Sequence, residues 1–192
     1  LYDVPVTQNA SSFSILNTGS GWGITDEDYL VNDGTGTNYG LELTLERFFN
    51  KSYYYLTTIS LFQSKYKGSD GVERNTAYNG NYVANVLFGK EFVISPKNTI
   101  SVDLKCTLAG GKRYTPIDLI ASQTSSSTTY LENQAFSQQF DPFFKSDFKV
   151  SYKRNGKKVD QEWIFYVENF TNHKNVLYQW YSKSEQDIKN IN

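Results

Sequence analysis

The sequence predicts an all-β fold: an antiparallel, up-and-down sheet of six clear strands and the stub of a seventh. Three observations predict it. Apolar and polar residues alternate with period two, connections between the alternating runs are long and short in turn, and no helix of useful length is expected. Residues 1–192 read as one domain, with no second one.

Residues 1–6 read as the end of an earlier strand, and 8–36, rich in Ser, Asn, Gly and Thr, as a long loop. The first full strand is expected at 38–49, where Tyr39, Leu41, Leu43 and Leu45 alternate with Gly40, Glu42, Thr44 and Glu46. Asn50-Lys51 reads as a tight turn. The run 52–66 is rich in β-formers, but its facing is open: Tyr53, Tyr55, Ile59 and Leu61 compete with Tyr54, Leu56, Phe62 and Tyr66. Residues 67–80 are polar, hold three Gly and read as a loop before a third strand at 81–94. Ser95-Pro96-Lys97-Asn98 is a short turn, because proline cannot continue a ladder.

The alternation is cleanest at 99–109. Ile100, Val102, Leu104, Cys106 and Leu108 share one face, and Ser101, Asp103, Lys105 and Thr107 the other. A long polar stretch, 110–141, leads to a strand at 144–153. Asn155-Gly156 is a strong hairpin signal, the last strand is expected at 159–170, and the polar tail from Thr171 reads as loop.

Connections near 7–37, 67–80 and 110–142 are long, and those at 50–51, 95–98 and 154–158 are short. Outer-membrane barrels have this asymmetry, with short periplasmic turns and long external loops. Phe48, Phe49, Tyr53, Tyr54 and Tyr55 gather beside the first short turn, where an aromatic girdle would sit. The expected fold class is therefore a segment of an antiparallel up-and-down transmembrane β-barrel. The smallest bacterial barrels have about eight strands, and an open edge in lipid leaves backbone groups unpaired, so the chain is expected to be part of a larger barrel. Alternation by itself leaves open a soluble β-sandwich binding a ligand or carbohydrate through exposed Tyr and Trp.

Composition narrows the function. With 19 Lys+Arg against 20 Asp+Glu there is no general excess of cations, which argues against nucleic acid as a partner. Aromatics make 16% of the chain, suiting a surface apolar at one end and wet at the other. Cys106 is the single cysteine, so no internal disulfide is possible. No apolar run approaches the roughly 20 residues of a membrane helix.

Four stretches, taken together and in order, resemble the C-terminal barrel of TonB-dependent outer-membrane receptors of the Bacteroidota type. They are LVNDGTGTNYGLELTLERFF (30–49), YKGSDGVERNTAYNGNYVANVLFGKEF (66–92), AGGKRYTPIDL (109–119) and EWIFYVENFTNHKNVLY (162–178). The resemblance implies a 22-stranded barrel plugged from inside, which imports a scarce solute into the periplasm with energy from the inner membrane. It makes the VENFTN-like strand the penultimate one and implies that the final strand, the plug and most of the wall lie outside this chain. The implied partners are outer-membrane lipid and lipopolysaccharide, the rest of the same receptor, the TonB complex reached through its N-terminal part, and a possible surface lipoprotein. The implied location is the bacterial outer membrane.

Catalytic chemistry finds little support. His173, the one histidine, lies in a polar turn beside Asn172 and Lys174. Cys106 shares an apolar face with Leu104 and Leu108 and reads as a small packed or lipid-facing residue. Glu42 and Glu46 would stand roughly 13 Å apart along a strand, farther than paired glycosidase carboxylates at about 5–9.5 Å. The glycines from Gly34 to Gly40 miss the dinucleotide-binding spacing, and no helix follows them. No catalytic residue, metal site or cofactor is expected. Two loop clusters remain as candidate ligand contacts: Arg74-Asn75 with Tyr78-Asn79, and Lys112, Arg113, Tyr114 and Asp118. Arg, Tyr and Asn suit polar ligands such as sugars or peptides; the plainer reading is loop packing or lipopolysaccharide contact.

Overall fold

The computed structural model describes residues 1–8, 10–20 and 30–192. Twelve strands are described: β1 (Tyr2–Thr7), β2 (Leu30–Asn50), β3 (Tyr53–Lys67), β4 (Glu73–Asn75), β5 (Tyr82–Ser95), β6 (Asn98–Ala109), β7 (Arg113–Tyr114), β8 (Gln138–Gln139), β9 (Phe143–Asn155), β10 (Asp160–Val167), β11 (Tyr178–Ser182) and β12 (Asp187–Ile191). One short α-helix, α1 (Leu119–Ser125), lies between β7 and β8, followed by a 3-10 turn at Glu132–Gln134. The fold is all-β and antiparallel. The main sheet runs β1-β2-β3-β5-β6-β9-β10, each long strand pairing with the next in the chain, and β4 adds to β3 beyond the reach of β5.

Register turns the alternation of each strand into two continuous faces. Leu41 and Leu43 stand opposite Leu61 and Ile59, Ile59 opposite Ala84, Val86 opposite Cys106, Leu104 opposite Phe148, and Val150 opposite Phe165. One face is therefore apolar across six strands, and it is open: Leu41 is 73% exposed and Phe165 66%. The opposite face brings charges together. Asp103 lies directly opposite Lys149 and Lys105 opposite Asp147. Lys149 Nζ sits 2.8 Å from Asp103 Oδ2, and the Tyr54 hydroxyl donates to Asp103 Oδ1 at 2.8 Å. Asp103 and Asp147 are buried although no apolar layer covers them, because neighbouring polar side chains enclose them.

Turn chemistry fixes the short end. Asn50 pairs with Tyr53 around Lys51 and Ser52, whose φ angles are 53° and 68°. Two consecutive positive φ values are the signature of the two-residue hairpin turn that matches strand twist. The turn centres one residue later than the sequence suggested. Pro96-Lys97 links Ser95 to Asn98 as expected, and the Asn98 amide donates to Ser95 Oγ at 2.7 Å. The third hairpin forms, but Asn155-Gly156 is not its two-residue tip. Asn155 pairs with Asp160, and the Gly156 amide donates to Val159 O at 3.1 Å, closing a four-residue loop.

Three boundaries differ from the sequence reading. Residues 30–36, expected in a loop, are strand, because Tyr2–Thr7 pairs with them. The rest of that expected loop, at 9 and 21–29, lies outside the described residues. The last strand ends at Val167 and not at 170: Asn169 and Asn172 take positive φ and turn the chain back along β9. The tail is not loop; it folds as the hairpin β11–β12, with Tyr178 opposite Ile191 and Ser182 opposite Asp187. The main sheet is open. Neither β2 over 37–50 nor β10 has a second neighbour among the described residues.

Candidate functional site

The long connections meet at one end of the sheet and are tied together there. Tyr66, at the end of β3, is buried, and its hydroxyl donates to Ser12 O at 2.7 Å. Ser12 Oγ donates to Glu132 Oε2 at 3.2 Å, and Ala77 N to Asn17 Oδ1 at 2.8 Å. Segments 10–17, 68–80 and 110–142 thus form one assembly. Its pivot is Asn79, which has no exposed surface. Its carbonyl oxygen accepts from Ser64 N at 3.0 Å, and its amide donates to Gln63 Oε1 and Asn75 Oδ1 at 3.1 and 2.8 Å. Gly80 and Gly110 touch backbone to backbone, so a Cβ on Gly110 has no room against the Gly80 carbonyl.

Most of the expected ligand contacts are spent on this scaffold. Arg74 donates from both terminal nitrogens to the two Asp70 oxygens, at 2.9 and 2.6 Å, a two-pronged pair. That guanidinium holds the Asp70 carboxyl below its ordinary value of 3.8. Asn75 donates to Phe136 O at 3.5 Å as well as accepting from Asn79. Arg113 donates to Asn79 O and Asn81 Oδ1 at 3.1 and 2.9 Å, bridging the two loops. Asp118 caps α1, accepting from Ala121 N at 2.9 Å.

The other three expected residues are Tyr78, Lys112 and Tyr114. Tyr78 is exposed, with Lys112 Nζ 5.9 Å from its ring centre. Burial pushes the Lys112 ammonium below its ordinary value. Tyr114 stacks on Phe140 at 4.1 Å and 16°. Tyr114 also lines a cleft of about 470 Å³, with Pro116, Ile117, Gln179, Ile188, Lys189 and Asn190. One wall of that cleft is the tail hairpin, held by Tyr181 N donating to Thr128 Oγ1 at 3.0 Å and by Gln123 donating to Gln186 O at 3.1 Å. The sequence reading missed the hairpin residues because it left the tail as loop. Ile188 and Ile191, apolar positions in a polar tail, were the available signal.

The cleft mixes apolar walls with two side-chain amides, each able to donate and accept. Lys189 is paired with Glu185, so the lining carries no strong uncompensated charge. Such a surface suits a neutral, polar solute with an apolar face. Among the described residues no three His, Cys, Asp or Glu side chains converge as metal ligands would. His173 packs edge-on to Phe144 at 5.8 Å. Comparison with protein-family models, with curated proteins and with solved structures gives no match for this chain.

Proposed function

We propose that the chain is a sector of the wall of an outer-membrane β-barrel, the C-terminal part of a TonB-dependent receptor that binds and imports a scarce solute. It acts without catalysing a reaction. The observation that carries the reading is the apolar face, six strands wide and open to its surroundings, backed by a face that carries ion pairs. In water such a face is a liability; against lipid it is the required surface, while the charged face lines a hydrated lumen. Strand length agrees. The 14 residues of β5 span about 46 Å, and tilted by about 45° they cross about 32 Å, near the roughly 30 Å of a bilayer core.

The two sheet edges left unpaired among the described residues support the same reading, since the remaining strands of a larger barrel would pair with them. The plug of the same receptor would face the charged side. The external assembly would meet lipopolysaccharide and the solute, with the Tyr114 cleft as the first place to look for the latter.

The test uses the full polypeptide that contains this chain, reconstituted in bilayers, with nitroxide labels at Leu43 and Thr44. Neighbouring residues on opposite faces should differ sharply. Leu43 should be accessible to dissolved oxygen and shielded from a polar nickel reagent, and Thr44 the reverse. Equal accessibility to the nickel reagent at both positions, or recovery of the 192-residue chain as a folded soluble monomer, would sink the membrane assignment.

A further inference from the structure

The short-turn end has an electrostatic character of its own. Residues 46–55, 88–99 and 151–162 hold eight Lys+Arg against four Asp+Glu, a net of +4 in a chain whose total is −1. None of those eight cations forms an ion pair with a described carboxylate; the ion pairs of the described residues lie elsewhere on the sheet and at its long-loop end. Seven of the eight are exposed, and Arg47 is half-buried.

Their placement is as informative as their number. Arg47, Lys90 and Arg154 lie on the apolar face, in register with Tyr55, Val102 and Gln161, in the short-turn halves of their strands. The Arg47 guanidinium rests 4.2 Å from the Tyr53 ring centre and Lys90 Nζ 5.1 Å from that of Phe92. Long cationic side chains on aromatic rings at the margin of an apolar surface occupy the depth of lipid headgroups. Lys51, Lys97, Lys157 and Lys158 extend the charge into the turns, and Lys153 completes it. A soluble polyanion would have no use for the aromatic and apolar margin; a lipid surface uses both.

We infer that the short-turn rim docks on a bilayer leaflet bearing anionic phospholipid headgroups, with Arg47, Lys90 and Arg154 as the phosphate contacts. The inference rests on the membrane-wall reading and adds the lipid class. Juxtamembrane cations attract anionic lipid within about a Debye length, so the preference should weaken with salt.

The experiment is electron spin resonance of the full polypeptide in phosphatidylcholine bilayers, with trace spin-labelled phosphatidylglycerol or phosphatidylcholine as probe. The expected result is a motionally restricted population several-fold richer in phosphatidylglycerol at low salt. The triple substitution Arg47→Gln, Lys90→Gln, Arg154→Gln should bring that ratio to about one without changing the restricted phosphatidylcholine. The turn substitution Lys97→Gln, Lys157→Gln, Lys158→Gln, at exposed positions, should lower it partway and guards against a misfolded triple variant. A restricted population without headgroup preference, or a preference that neither variant lowers, overturns the inference and leaves the barrel standing. No restricted lipid at all overturns the barrel reading itself.

Discussion

Gly89 is the residue on which the charged face depends most directly. It sits between Tyr54 on β3 and Asp103 on β6, in register with both. The Tyr54 ring lies across it to reach the Asp103 carboxylate, and a Cβ there would collide with the ring and stand 2.5 Å from Asp103 Oδ1. Gly89→Ala is expected to destabilise the folded polypeptide by about 1–3 kcal/mol, the usual range for overpacking, read from urea unfolding against wild type. At the other end, the Arg74–Asp70 pair links acidity to loop order. The folded-state pKa of Asp70 is depressed, so its contribution is present above the ordinary value of 3.8 and is lost as pH falls through the lower folded value. Hydrogen exchange across 68–80 is expected to stay slow from pH 7 to about 5 and to quicken below about 4, relative to a neutral-pH reference corrected for intrinsic rates.

At the scale of elements, alternation was legible because each strand separates an apolar face from a polar one. The strands expected at 99–109 and 144–153 match β6 and β9 to within two residues, and the one expected at 38–49 lies inside the longer β2. β3 could not be faced from its own sequence, since apolar residues occupy both parities. Its facing is set by long-range register, with Leu61 opposite Leu41 and Ile59 opposite Leu43. A charge at Leu43, midway along β2, is expected to cost about 2–4 kcal/mol, whereas Phe92→Arg near the short turns costs about 0–1. Folding assays in detergent or bilayer of Leu43→Arg and Phe92→Arg check this, and equal costs at the two depths would contradict a membrane band. The tail hairpin is the second element to test. Tyr181 is 5% exposed and anchors it to the 110–142 loop. Tyr181→Ala should raise hydrogen exchange in both the hairpin and residues 113–130, because losing a buried aromatic costs about 3–5 kcal/mol.

At the scale of the molecule, the candidate site was half legible. The sequence picked the right loops: 68–80 and 110–142 do come together. It misjudged what their polar residues do there, because Arg74, Asn75, Arg113 and Asp118 answer backbone and side-chain partners in their own assembly. A loop's hydrogen-bond demand is a three-dimensional quantity, so composition alone assigns such residues to a ligand too readily. The open sheet has a further consequence. On the proposed membrane-wall reading, a six-strand apolar face with edges unpaired among the described residues would leave the separated chain without a soluble ground state. It is expected to aggregate on dilution from urea and to fold only with the remaining strands and a bilayer or detergent, which light scattering and near-ultraviolet circular dichroism would follow.

By itself, the sequence determined the antiparallel meander, the three hairpins and the two-faced strands. Period-two alternation and turn chemistry act over a few residues and are written locally. Only the tertiary structure decided which face of β3 joins the apolar surface, that residues 30–36 pair with the first strand, and that the tail folds into a hairpin beside Tyr114. It also decided that the polar loop residues serve one another. Each of these depends on contacts between residues far apart in the chain, whose free energy exists only once register and loop closure have brought them together.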